Sequence, residues 1–125
     1  MYFIKAKAMV GKHLKEVLLS KDKRSLLFKF MDNTEQMALA EGDCCSYSWV
    51  EHLTIPCDVE GSIVIDVFDS GEIEPSSPVV EAEYESIAVY HTVVRTTKGD
   101  IVIEYRNSSN GYYGGWLEWN PIISI

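Results

Sequence analysis

Three cysteines fall within fourteen residues, at Cys44, Cys45 and Cys57, and His52 lies between them. Thiols, an imidazole and carboxylates in one short segment are the raw material of a nucleophile or a metal site. A thiol-dependent enzyme would use Cys44 or Cys45 as nucleophile and His52 or His91 as base. Spacing resists the simplest version. If the segment is helical, the seven residues from Cys45 to His52 make two turns, ~10.5 Å along the axis and too far for a hydrogen bond. The dyad then needs cysteines that bend back toward the helix end, or His91 arriving from elsewhere in the chain. A metal site meets a similar objection. Neighbours in an extended segment point to opposite sides, and no two cysteines have the spacing of about two to four residues that zinc sites favour. No metal and no cofactor is expected. The remaining reading is structural. One thiol packs in the core as a small hydrophobe while the other faces elsewhere, and Asp43 caps a helix by accepting its first backbone donors.

A second segment, Tyr105-Arg106-Asn107-Ser108-Ser109-Asn110-Gly111-Tyr112-Tyr113-Gly114-Gly115-Trp116, mixes aromatic, small polar and glycine residues. Such a mixture suits recognition, because Tyr and Trp give contact area at low entropic cost while Ser and Asn adapt their hydrogen bonds. Its plainer reading is a hairpin connection, since Asn-Gly favours a two-residue type I′ turn. It lacks the Lys-Ser or Lys-Thr ending of a phosphate loop. The candidate binding residues are Asp43, Trp49, Glu51, Arg106, Asn107, Ser109, Asn110, Tyr112 and Tyr113. A small-ligand site built on Arg106 and Tyr112 is a further possibility.

The elements that must position these residues are mostly strands. Residues 15–20, 25–31 and 35–40 read as strands, with Leu26, Phe28 and Phe30 on one face of the second, and are separated by Lys21-Asp22-Lys23-Arg24 and Asp32-Asn33-Thr34. This predicts an antiparallel meander. Ser48-Trp49-Val50-Glu51 has the form of a capping box, Trp49, Val50 and Leu53 have helical spacing, and Pro56 would stop a helix. One short helix is predicted over 46–53. Strands follow at 62–68, 85–97, 101–106 and 116–119, with a tight turn at Lys98-Gly99-Asp100. Residues 69–83, with Gly71, Pro75 and Pro78 among acids and serines, are read as a flexible acidic surface loop. The expected fold is α+β, mostly antiparallel sheet with about six to seven strands and one helix, in a single domain spanning 1–125.

Charge is unevenly distributed along the 125 residues. The net value is −8. Residues 1–31 carry eight Lys or Arg against two acids, whereas residues 32–94 carry fourteen acids and no basic residue. Binding to a phosphate backbone requires Lys and Arg to displace counterions, so the acidic stretch is not a nucleic-acid surface. It either folds against the basic N-terminal hairpin or forms an acidic face for a basic protein partner. No apolar run approaches the ~18–20 residues of a membrane span, and the N-terminus has no secretory pattern. No membrane association is expected, the cytoplasm is the expected location, and the cysteines are expected as thiols.

Gly42-Asp43-Cys44-Cys45-Ser46 with a following Glu51-His52, and Thr97-Lys98-Gly99-Asp100 leading to Ser108-Ser109-Asn110-Gly111-Tyr112-Tyr113, resemble an uncharacterised domain family of small phage and bacterial proteins. That family pairs an Asp-Cys-Cys motif with a Ser-Asn-Gly-Tyr-Tyr loop, and the likeness spans roughly residues 10–117. The resemblance implies that both motifs belong to one domain and carries no activity with it. His52 stands where an acidic residue is common in the family, which weakens a general role for it as a base. Together these features predict a small non-enzymatic binding protein of phage or bacterial origin, acting by stoichiometric contact. An inhibitor of a host nuclease or defence protein fits them, with a thiol enzyme or a metal- or small-ligand-binding module as the alternative.

Overall fold

In the computed structural model, residues 3–111 and 114–125 are described. A short helix α1 (Phe3–Ala6) and a single 3-10 turn (Lys7–Met9) precede nine strands. β1 (Leu14–Leu19), β2 (Ser25–Phe30), β3 (Thr34–Gly42) and β8 (Gly115–Trp119) form one antiparallel sheet in that spatial order, and β9 (Ile123–Ser124) adds to β3. β4 (Tyr47–Thr54), β7 (Gly99–Ser109), β6 (Ser86–Thr96) and β5 (Val64–Asp69) form the second, also antiparallel. The fold class is the one the sequence predicts, mostly antiparallel β with one short helix.

The sheets face each other over one core. Leu26, Phe28 and Phe30 of β2, Ala38 and Ala40 of β3, and Leu117 and Trp119 of β8 meet Val50, Val67, Val94, Ile101, Ile103 and Tyr105 from the other side. Period-two alternation puts these residues inward and their neighbours outward. The sandwich is stitched along two lines of backbone hydrogen bonds. On one, the Gly61 N–H donates to the Leu14 carbonyl at 2.7 Å and the Leu14 N–H donates to that of Ser62 at 2.8 Å. On the other, the Val50 N–H donates to the Lys23 carbonyl at 2.7 Å. Ala6 and Met9, both fully buried, seat the N-terminal turn in the same core.

The helix is not where the sequence puts it. Residues 47–54 are strand β4, and the predicted helix over 46–53 does not form. The reason is a β-bulge between Val50 and His52. An extra residue shifts the phase of a strand, so Val50 and Leu53 both face inward. Their i, i+3 spacing imitates a helix. The Ser48 hydroxyl donates to the Glu41 carbonyl at 2.8 Å and caps nothing. Bulges in β1 between Leu14 and Glu16, and in β5 between Val64 and Asp66, likewise leave Leu14 with Val17 and Val64 with Val67 as inward pairs three apart. All three bulges lie in strands at sheet margins, where bulges are common.

The charge asymmetry resolves in part. Lys12 pairs with Asp32 at 2.5 Å and Lys7 with Asp66 at 2.9 Å, so two of the fourteen central acids meet the basic N-terminal region. No helix among the described residues is long and apolar enough to cross a membrane.

Candidate functional site

The two motif segments do meet, at the end of the sandwich where the chain passes between sheets. Residues 43–46 turn the chain from β3 in one sheet to β4 in the other, and residues 110–114 link β7 back to β8. The Asp43 N–H donates to the Gly114 carbonyl at 3.1 Å, and the Gly114 N–H returns to Asp43 Oδ2 at 3.2 Å. Asp43 therefore clamps one crossing to the other and caps no helix. Beneath it, Asn107 is fully buried. Its Nδ2 donates to the hydroxyls of Ser46 at 3.1 Å and Ser48 at 2.9 Å. Those hydroxyls donate onward to the carbonyls of Asp43 and Glu41, which fixes which end of the Asn107 amide is which. Gly42 and Gly115 are register partners above this amide. A Cβ on Gly42 would lie 2.6 Å from Asn107 Nδ2, so only glycine admits the amide there.

Strand β7 continues through Ser109, so Asn107, Ser108 and Ser109 are strand residues and not the start of a loop. The connection that follows crosses between sheets and is not the hairpin that Asn110-Gly111 suggests. Tyr112 and Tyr113 lie outside the described residues. Arg106 is buried too, on the opposite face of β7 from Asn107.

Both adjacent cysteines are exposed, against the expectation that one packs in the core. Their sulfurs are 3.4 Å apart, and Cys45 has φ +69°, the left-handed region. The hydrogen bond with Cys45, then that neighbour's charge, holds the Cys44 thiol above the ordinary thiol range. A nucleophile needs the reverse shift. The histidines do not come to it. His52 is five strand steps beyond Tyr47, ~16 Å at ~3.3 Å per residue. His91 stands in the same cross-strand row as His52, with Glu104 between them. Cys57 is exposed past the far end of β4. Among the described residues no group of three or more His, Cys, Asp or Glu side chains is placed to hold a metal ion.

The densest polar cluster lies elsewhere, on the outer face of the second sheet, under residues 70–85. Glu104, buried, accepts from His91 Nε2 at 3.0 Å, from Arg106 Nε at 3.0 Å and Nη2 at 2.7 Å, and from the Ser76 N–H at 2.7 Å and hydroxyl at 3.1 Å. Arg106 Nη2 also donates to the Ser77 carbonyl at 2.9 Å and hydroxyl at 3.2 Å. Burial alone would push the Glu104 carboxyl up. The Ser76 N–H, Arg106, His91 and the Ser76 hydroxyl outweigh it and hold Glu104 below its ordinary value. Residues 70–85 run over this cluster as a strap, bonded to it near the middle through Ser76 and Ser77. A cleft of about 280 Å³ opens beside it, with Ile73, Pro75 and His91 in its walls.

Trp49 and Glu51 lie on β4, half-buried and bonded to each other through Trp49 Nε1 and Glu51 Oε1 at 2.9 Å. Tyr47 stacks on Trp49 at 5.8 Å, and Arg24 lies 4.7 Å over the Tyr47 ring. Sequence reasoning missed Glu104, Ser76 and Ser77. Alternation does put Glu104 and Arg106 on one face of β7, but nothing local says that a strap covers that face.

A family described as a domain of unknown function, DUF7448, matches residues 7–119, a span that includes both motifs and the ion cluster. The chain belongs to this family. It is 33% identical over 96 residues to an uncharacterized protein of Acanthamoeba polyphaga mimivirus, covering 74% of this chain and 73% of that one. No solved structure matches. Within this DUF7448 chain, the buried Glu104, His91 and Arg106 are bound to one another, while the thiols at the 43–46 turn and the outer edge of the strap are displayed at the surface.

Proposed function

We propose that the protein is a non-enzymatic binding module of phage or bacterial origin that acts by stoichiometric contact with a basic protein partner, as an inhibitor of a host nuclease or defence protein would. The observation that carries this reading is the outer edge of the strap. Val80 is 80% exposed and Tyr84 90% exposed, with Glu81 and Glu83 beside them. Glu72 and Glu74 add exposed acids on the same strap. Large apolar side chains rimmed by charge are the composition of a contact surface. Tyr is also a favoured anchor. The strap is held for display. The ion cluster fixes its middle, Glu85 accepts from the Ala82 N–H and the Ser108 hydroxyl, and Glu81 accepts from the Ile87 N–H at 2.6 Å. Tyr84 itself has φ +65°, a conformation that costs energy and persists only where its surroundings impose it.

The test is capture from host lysate with crosslinking, comparing the wild-type chain with Tyr84→Ala and with Glu81→Lys/Glu83→Lys. A retained protein should be lost with Tyr84→Ala by roughly 30-fold or more in affinity, the scale of an interface anchor. Its retention should fall steeply as salt rises. Recovery of no protein, or recovery indifferent to both variants, defeats the reading.

A further inference from the structure

We propose that Cys44 and Cys45 form a reversible thiol–disulfide exchange site, which takes small disulfide oxidants such as oxidised glutathione and closes to a disulfide between the two neighbours. The placement supplies what such a site needs. Both thiols are exposed, their sulfurs are already 3.4 Å apart, and closure asks only for a further approach of ~1.4 Å to the usual ~2.05 Å bond. They occupy a turn between strands, so side-chain rotation is not opposed by a core. Cys57 is separated from them by the whole of β4, roughly 25 Å of strand, and does not compete within the chain.

The chemistry balances with one oxidant molecule. Either sulfur can donate the hydrogen bond they share, so either thiol can attack first, and the two routes mirror each other, here starting from Cys45. Its thiolate forms a bond to one sulfur of oxidised glutathione, and the other glutathione leaves with the electron pair. The Cys44 sulfur then gives up its proton to solvent and attacks Cys45, displacing the second glutathione. Two cysteine thiols are oxidised, and one disulfide is reduced to two thiols.

The ring should be easy to reopen. The Cα atoms of neighbouring residues are ~3.8 Å apart across a trans peptide, shorter than the ~4.4–6.8 Å of ordinary disulfides. Strain of this kind raises the reduction potential and puts a disulfide in the labile class rather than the structural one. The event is local but not isolated. Asp43, one residue away, carries both hydrogen bonds to Gly114, so closure acts where the two crossings are clamped.

The full-length protein is incubated with oxidised glutathione, and its intact mass and peptides are measured. In the wild-type chain the peptide containing residues 44 and 45 should become lighter by two hydrogen atoms, form no disulfide to a second chain, and recover in reduced glutathione. Cys57, exposed and with no resolving thiol near it, takes a glutathione of its own, so Cys57→Ser should lose that adduct and leave the change at the turn identical. Cys44→Ser should instead retain one glutathione on Cys45, because the resolving thiol is gone. A persistent glutathione adduct on the wild-type turn, dimers linked through it, or no mass change would each overturn the proposal.

Discussion

The Glu104 cluster and the Cys44–Cys45 turn both gather chemistry-bearing side chains and use them in opposite ways. At Glu104, carboxylate, imidazole and guanidinium are buried together. The carboxylate has five donors, and the cluster ties a strap to a sheet. At the turn, two thiols stand in solvent with one another as their hydrogen-bond partner. Burial and the number of partners make the first a fastening, and exposure leaves the second open to reaction. The sharpest way to break this contrast is Glu104→Ala. It strands Arg106 in the interior without its counter-charge, and such a loss costs about 3–5 kcal/mol. That is a large share of the ~5–15 kcal/mol that holds a domain folded. Urea unfolding should report it, and proteolysis within residues 70–85 should accelerate. Cys44→Ser measured alongside should fall within about 0.5 kcal/mol of wild type, as surface changes do.

Acid should act on the same fastening, more gently than deletion. The folded-state value of Glu104 lies below its ordinary one. Its contribution is therefore complete above the unfolded value, near ~4.3, and is lost as pH falls through the lower folded value. The stability gap between wild type and Glu104→Gln should be constant near neutrality and shrink below about pH 4. A gap that stays constant to low pH would mean that the donors around Glu104 do not favour its charged form.

How much of this contrast was legible in the sequence follows from range. Strand β6 shows itself by its long β-branched run, and Leu26, Phe28 and Phe30 on β2, with Ile101, Ile103 and Tyr105 on β7, reveal strands because these central strands keep period two. The marginal strand β4 does not, and its bulge turns Val50 and Leu53 into a false helical signal. Both site motifs stood out by composition, but Glu104 stood out in no way. Its partner Ser76, and Ser77 as the partner of Arg106, are contributed from about thirty residues away. Pairing across such a separation leaves no local trace, and an alternating Glu104 and Arg106 read as solvent-facing unless the strap is known to lie over them.

Between the two regions sits the glycine junction, with an intermediate effect expected. Gly115→Ala would bring a Cβ to 3.0 Å from Asn107 Cβ and closer still to Ser48 Oγ. Asn107 is fully buried and fixed by two hydroxyls, so it has little room to yield. Overpacking of this kind costs about 1–3 kcal/mol. Thermal unfolding should show it, and the Asn107 side-chain amide resonances should shift. Gly71→Ala, with open space around it, should leave both unchanged.

The smallest effect separates the two cysteines from each other. Cys45 is left-handed at φ +69°, which strains an L-residue by about 1–2 kcal/mol. Glycine adopts that conformation freely, but it also loosens the unfolded chain, which offsets about 0.4–1 kcal/mol of the relief. Cys45→Gly should therefore stabilise the fold by about 0.5 kcal/mol. Cys44→Gly has no left-handed strain to relieve and should destabilise it by a similar amount through the same loosening. Opposite signs at adjacent positions, read from paired urea titrations, would show that the turn geometry brings the sulfurs together at a conformational cost. Equal signs would mean that Cys45 is not held left-handed in solution, and the sulfur–sulfur approach at this turn would lose its basis.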